Sequence, residues 1–297
     1  MKYRSIRLLA AVALSCAASW AQATLTCTNP VSSGFSTAIN TLTSAVPNVT
    51  QGLISFTCTR TAAGDPTSLL LRANNGVNAT GQSNRARRVA FTNYILYEGY
   101  QDSACATMWT RNNNATAIPF TLLSITGTAQ PVNLSFWGCI TTLAGQAITA
   151  GTYTDTVTMR VRSVTPAAWY TANNVATFPV SITIQATCSI PSPGNIAFTY
   201  AAFGPAVDAS STFNINCSDS LPYTMSLDAY SGVIAGLHYD LNINTAPPPA
   251  GSLPVNSRGT GAVQTHTIYG NMLAGQAGTC TTGTCPGSQS RTLTITY

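Results

Sequence analysis

The chain has 297 residues, only 7% of them charged, and a formal net charge of +5. Lys2, Arg4 and Arg7 supply part of that charge; from Thr24 onward ten arginines face eight acidic residues and no lysine remains. So small a surplus is no electrostatic footprint for nucleic acid, and beyond the first residues no apolar run is long enough to cross a membrane as a helix.

The basic start is followed by an apolar run, Leu8–Ala18, and then by Ala21-Gln22-Ala23, an A-x-A cleavage pattern. Residues 1–23 are therefore predicted to be a signal peptide. Eight cysteines follow it, at 27, 58, 105, 139, 188, 217, 280 and 285. An even count behind an export signal predicts disulfides in an oxidising compartment. Cys27 and Cys58 are 31 residues apart and Cys188 and Cys217 are 29 apart, which suggests one duplicated bridge. Each is worth roughly 3–4 kcal/mol on a loop-entropy account.

Short alternating runs, punctuated by Gly, Pro and Asn, then recur along the chain. Leu53–Thr59, Ser68–Arg72, Val132–Phe136 and Thr156–Arg162 are examples in the first half, and Phe213–Cys217, Tyr223–Leu227, Thr265–Tyr269 and Thr292–Tyr297 in the second. No helical period persists beyond two turns, so antiparallel sandwiches are predicted. The halves also repeat each other. Asn133–Val161 (NLSFWGCITTLAGQA…) lines up with Thr265–Tyr297 (THTIYGNMLAGQA…), each running strand, Gly, LAGQA, loop and closing strand. Val164–Asn174 is the expected connection.

One asymmetry separates the repeats. The first closing strand is followed by the linker and then by TFPVSITIQATC, in which Phe178, Val180, Ile182 and Ile184 alternate with polar residues. The second closing strand has no such successor, and only Thr24–Thr26 stand between the cleavage site and Cys27. Thr177–Gln185 is therefore expected to plug the first sandwich, leaving the second to accept a strand from another subunit. On this expectation the chain receives a strand at one end and offers none at the other, which places it at a fibre tip. Membership of Phe178–Ile184 in the second domain's own sheet stays open.

The paired cysteine spacing, NYILY followed by MWT (Asn93–Thr110), LAGQA and GTYTDTVTMRV together resemble the spore coat protein U domain family, which includes pilins of archaic, Csu-type chaperone–usher pili. The resemblance covers essentially the whole exported chain. It implies an all-β fold of two tandem immunoglobulin-like β-sandwich domains, the second lacking its last strand. The expected division is 24–164 as tip domain, 165–176 as linker, 177–187 as donor strand and 188–297 as pilin domain. The expected disulfides are Cys27–Cys58, Cys105–Cys139, Cys188–Cys217 and Cys280–Cys285. Implied partners are a periplasmic pilus chaperone, an outer-membrane usher, an adjacent pilin donating a strand, and an abiotic or host surface. Implied localisation is export through the periplasm to the pilus tip.

In such a sandwich the B–C, D–E and F–G loops share one pole, and exposed apolar patches mark binding sites. Three surface-binding loops are expected: Pro166, Ala167, Ala168, Trp169 and Tyr170 in the linker; Ala62 and Ala63 in Thr59–Thr67; and Ile118, Pro119 and Phe120 around Asn112–Phe120. PFTLL also reads as a core strand, and Trp169 with Tyr170 also as an interdomain contact. Trp109 and Trp137 are expected in the core, and Arg85, Arg87 and Arg88 in a solvated loop. The two histidines, His238 and His266, lack the acidic and nucleophilic neighbours of a hydrolase or metal site. No enzymatic activity, metal or cofactor is expected. A non-adhesive coat or shaft component and a carbohydrate-binding tip are the alternatives to an adhesin.

Overall fold

The computed structural model describes residues 25–44, 46–111, 114–143, 148–165, 167–170, 176–248, 253–280 and 286–297. The expected signal peptide, Pro166 and Cys285 lie outside them. Among the described residues all nineteen elements are strands, arranged as two tandem immunoglobulin-like β-sandwiches.

The first sandwich holds β1 (Thr26–Cys27), β2 (Val31–Ser32), β3 (Phe35–Ile39), β4 (Asn48–Thr59), β5 (Ser68–Ala73), β6 (Asn84–Arg88), β7 (Tyr94–Tyr100), β8 (Ile118–Thr121), β9 (Ala129–Ile140), β10 (Gly151–Ser163) and β11 (Ala176–Ile184). One sheet runs β1 and β2 on β4, then β9 and β7; the other holds β8, β5, β10, β11 and β3. β7 pairs with β9 at one end and with β6 at the other, so the two layers curl into each other. The second sandwich holds β12 (Cys188–Ser189), β13 (Val207–Cys217), β14 (Pro222–Leu227), β15 (Ser231–Ile234), β16 (Leu237–Ile243), β17 (Val255–Arg258), β18 (Val263–Met272) and β19 (Leu293–Thr296). Its sheets run β12-β13-β18-β16-β15 and β17-β14-β19.

Two-residue alternation explains the first core. Ile54, Phe56 and Cys58 of β4 and Val157, Met159 and Val161 of β10 point inward and are buried, while the residues between them face out. Trp109 sits at the centre, 5.0 Å from the Phe136 ring and 5.8 Å from Phe178, and donates its indole N–H to the Leu71 carbonyl at 3.0 Å. Trp137, expected in the core, is half-buried instead, because neighbouring strand residues face opposite ways and Phe136 takes the inward position. Arg85, Arg87 and Arg88 form β6 rather than a loop; Arg85 lies 4.2 Å over the Tyr94 ring and Arg88 4.0 Å over Phe91.

Asp65 and Asp155 are buried in this domain and Glu98 is half-buried. Asp155 accepts the Tyr97 hydroxyl at 2.6 Å and the amides of Val77 and Asn78 at 3.1 Å, so its charge is met by donors. Burial and the Asp155 charge push the Tyr97 phenol up, which keeps it the donor. Glu98 is less well served, with the Asn84 amide and the Thr110 hydroxyl each at 3.3 Å, and burial raises it to about 7. Disulfides join Cys27 to Cys58, Cys105 to Cys139 and Cys188 to Cys217. Cys280 is disulfide-bonded as well.

Two outcomes follow. Phe178→Ala should cost about 3–5 kcal/mol, the usual range for emptying a buried aromatic site, read as a lower denaturant midpoint with an unchanged slope. Glu98 titrates at about 7 in the fold and near 4.5 when unfolded. Between those values the native chain holds a proton that the unfolded chain has lost, so stability falls as pH rises across that window. Thermal melts should therefore rise on going from pH 7.5 to 5.5, and Glu98→Gln should flatten that slope.

Candidate functional site

β11 lies between two strands. It pairs antiparallel with β10, Phe178 opposite Val157 and Ile182 opposite Tyr153, and parallel with β3, Val180 opposite Phe35 and Ile184 opposite Ile39. Phe178, Val180, Ile182 and Ile184 are all buried in the first core. Gly34 makes this approach possible, since a Cβ there would collide with the Pro179 carbonyl and its φ of +73° suits glycine.

The second sandwich repeats the frame without that strand. β19 pairs with β14, Ile295 opposite Met225, as β10 pairs with β5, Val161 opposite Leu71. Among the described residues no strand pairs with the other edge of β19. Its inward side chains, Leu293 and Ile295, are only half-buried. The counterpart of β3 is identified by its packing: the Phe35 ring fills the space above Gly138, and the Phe198 ring fills the space above Gly270. Residues 195–200 keep the alternation of a strand, with Ile196, Phe198 and Tyr200 half-buried between exposed neighbours, yet have no ladder partner among the described residues.

Gln276, within the second LAGQA, holds this unpaired segment. Its carbonyl accepts the Phe203 amide at 2.7 Å and its own amide donates to the Tyr200 hydroxyl at 2.9 Å. Its side chain takes the His238 amide at 2.6 Å and gives back to the His238 carbonyl at 2.9 Å. Among the described residues, the second sandwich thus has an unpaired edge at β19 and an extended segment with half-buried apolar side chains at 195–200. Such an arrangement offers backbone bonds and side-chain pockets to one added strand. His266, on the neighbouring β18, is a satisfied core side chain: its ring nitrogens meet the Tyr223 hydroxyl at 2.8 Å and the Asn244 amide at 2.9 Å, and burial lowers its pKa.

A second feature lies at one pole of the first sandwich. Ladder register brings Thr59 opposite Ala129, Ser68 opposite Thr121 and Leu69 opposite Ser163, so the connections 60–67, 122–128 and 164–175 leave from the same end. β11 leaves from the other end, where Ile184 meets Gly151 and Ile39. The first loop is fixed from inside: the buried Arg60 guanidinium donates to the carbonyls of Ala63 at 2.9 Å and Asp65 at 2.6 Å. The Asp65 carboxylate accepts the amides of Thr61 and Ala62. The second loop is fixed by Gln130, which accepts the Leu123 amide at 2.6 Å. Leu123 and Ile125 are thereby left 67% and 46% exposed.

The expected loop residues divide accordingly. Ala63, Ala167 and Trp169 are exposed, the last at 45%, while Ala62 and Ala168 are half-buried. Tyr170 turns inward, packing on the core with its hydroxyl 3.0 Å from that of Ser163. Ile118, Pro119 and Phe120 are not a loop. They form β8 on the edge of β5, with Ile118 buried, Phe120 5.3 Å from Phe56 and only Pro119 turned outward. Pairing with β5 satisfies their backbone, which a loop would leave to water. Leu123, Ile125 and Val164 were not singled out from the sequence; for the first two the signal was the break in alternation after PFTLL, ahead of Gly127.

No curated protein matches the chain in sequence. Among solved structures, the chain is similar to the CsuC–CsuE chaperone–tip adhesion subunit pre-assembly complex of Acinetobacter baumannii: 16% identity, 90% of this chain and 100% of that chain covered, TM-score 0.46. It is also similar to the CupB6 tip adhesin of Pseudomonas aeruginosa: 11% identity, 91% and 94% covered, TM-score 0.40. A third similarity is to the CooA pilin subunit of enterotoxigenic Escherichia coli: 13% identity, 53% and 99% covered, TM-score 0.32. The Spore Coat Protein U domain profile matches residues 5–160 and 174–242, about three quarters of the chain. The chain belongs to the Spore Coat Protein U domain family.

Proposed function

We propose that this protein is the tip adhesin subunit of an archaic chaperone–usher pilus, assembled by donor-strand complementation and attaching cells to surfaces during biofilm formation. The observation that carries the proposal is the contrast between the domains. The first sandwich has its strand between β10 and β3 supplied by β11 of its own chain, while the matching edge of β19 has none among the described residues. Phe178, Val180, Ile182 and Ile184 act as an internal donor strand. A neighbouring pilin supplies the equivalent strand to the second domain, after a periplasmic chaperone has held the edge and an usher has exchanged it.

Energetics favour such a division. Burying four apolar side chains is worth about 1.5–3 kcal/mol each, so one strand rivals the roughly 5–15 kcal/mol that stabilises a whole domain. A domain without its strand is therefore marginal until a partner arrives. The loop pole faces away from the interdomain junction and presents Leu123, Ile125 and Trp169 as its apolar contacts with a surface.

Peptide complementation tests the acceptor. A nine-residue peptide with the sequence of Thr177–Gln185, added to the full chain, should raise the melting temperature of the second domain by several degrees and slow amide exchange at Thr294–Thr296. The same peptide with serine at positions 180 and 182 should do neither. No protection of β19 by any alternating apolar peptide would sink the acceptor role. For the pole, Leu123→Ser/Ile125→Ser and Trp169→Ser should each reduce adsorption of the full chain to polystyrene at least fivefold. Undiminished adsorption would favour the non-adhesive coat or shaft component.

A further inference from the structure

Beside the apolar loop residues, the outer face of β5 and β10 carries three arginines. Arg72 stands directly opposite Arg160, and Arg162 follows two residues along the same strand, so all three share one face. Trp169 bridges to Arg162 and covers the group. Its ring centroid is 5.4 Å from the Arg72 guanidinium carbon, 5.5 Å from that of Arg160 and 5.0 Å from that of Arg162, all within cation–π range. Trp169 is nonetheless 45% exposed to solvent.

The four carboxylates of this domain are engaged elsewhere. Asp65 closes the first loop, Asp155 meets Tyr97, the half-buried Glu98 accepts from Asn84 and Thr110, and Asp102 accepts the amides of Ala104, Ala106 and Thr107. Burial and the Arg162 charge together hold Arg72 below the ordinary guanidinium value, as expected of crowded like charges. Arg162 donates to Asn114, a neutral acceptor, at 3.1 Å. Charge is also divided along the chain. Residues 24–187 hold eight arginines and four acids, and residues 188–297 hold two arginines and four acids.

Arg162 lies opposite Leu70 in the ladder, and Leu70 is on the wall of a shallow groove of about 480 Å³. Ser68, Thr121 and Thr165 give that groove hydroxyls, and Pro119 and Val164 give it apolar surface. We propose that the arginine–tryptophan cluster and this groove bind an acidic polysaccharide, a polymer of uronate or sulfated sugars. Carboxylate or sulfate groups take the guanidinium N–H donors, the apolar face of a pyranose lies on the outward face of Trp169, and sugar hydroxyls meet the groove. The half-polar lining suits a pyranose, with its polar rim, better than an acyl chain. The inference deepens the adhesin proposal and rests on this pole being the binding end.

The test uses the full chain on sensors coated with polygalacturonate, dextran sulfate, neutral dextran, double-stranded DNA or anionic phospholipid vesicles, with polystyrene adsorption measured in parallel. Binding to one or both acidic polysaccharides should exceed binding to neutral dextran, DNA and vesicles at least tenfold and weaken with salt. Arg160→Gln/Arg162→Gln should lower it tenfold or more while leaving polystyrene adsorption and near-ultraviolet circular dichroism unchanged. Arg85→Gln/Arg87→Gln, which removes the same charge near the other pole, should change it less than twofold. Equal losses in the two double variants, or stronger binding to DNA or vesicles, would overturn the inference. Absent polysaccharide binding with intact polystyrene adsorption would overturn it alone. Failure of the parent chain on every surface would overturn the adhesive pole itself.

Discussion

The whole structure depends on where one β-strand is placed. A sheet edge carries a row of backbone donors and acceptors, and the core beneath it carries apolar side chains; a single alternating strand satisfies both at once. β11 does this for the first sandwich on two sides, with β10 running one way and β3 the other. Because β11 lies between them, β10 is not an edge, and β3 closes the margin of the sheet. Four side chains of that one strand then close the layer that Trp109 and Phe136 build from the other direction.

The second sandwich shows what the same frame does without the strand. Phe35 and Phe198 occupy the same kind of seat, above Gly138 and Gly270, so β3 and residues 195–200 are seated by the same side-chain packing. In the first domain that seat is followed by pairing and Phe35 is buried; in the second it is not, and Phe198 stays half-exposed. Gln276 explains how the unpaired segment keeps its place, since it ties Tyr200 and Phe203 to the start of β16 through four hydrogen bonds. On the proposed assembly, a segment already held in an extended form lowers the ordering cost of receiving a strand.

Much of this was legible in the sequence because period-two alternation is a direct record of a sheet with one buried face. TFPVSITIQ, TVTMRVR and FNINC all declare themselves that way, and the duplicated cysteine spacing marks the domains. Where sequence reasoning failed, the signal was absent or ambiguous. NRARR is a strand whose exposed face is arginine, stabilised by Tyr94 and Phe91, and it reads as a solvated loop. In SFWGC two aromatics are adjacent, and only the ladder decides that Phe136 points inward and Trp137 outward. In IPFTLLSI an apolar run crosses a strand end, so that buried Ile118 and exposed Leu123 look alike. The arginine–tryptophan cluster joins residues 72, 160, 162 and 169, which only register brings together.

The same strand also determines how load passes between the domains. β11 ends at Ile184 and β12 begins at Cys188, and the three residues between them are tied down. Ser218 donates to the Gln185 carbonyl at 3.1 Å and takes the Thr187 amide at 3.2 Å, and the Thr187 hydroxyl donates to Asn40 across the junction at 3.2 Å. Tension applied through the second domain therefore reaches the first along the axis of β11. Its ladders run parallel to that pull, nine residue pairs with β10 and five with β3, so their hydrogen bonds are sheared together and not opened one at a time. Forced detachment is governed by the unfolding barrier and not by equilibrium stability, and a barrier that requires many bonds to break at once is high. The first domain resists pull because the strand that completes its core is also the tether that carries the force.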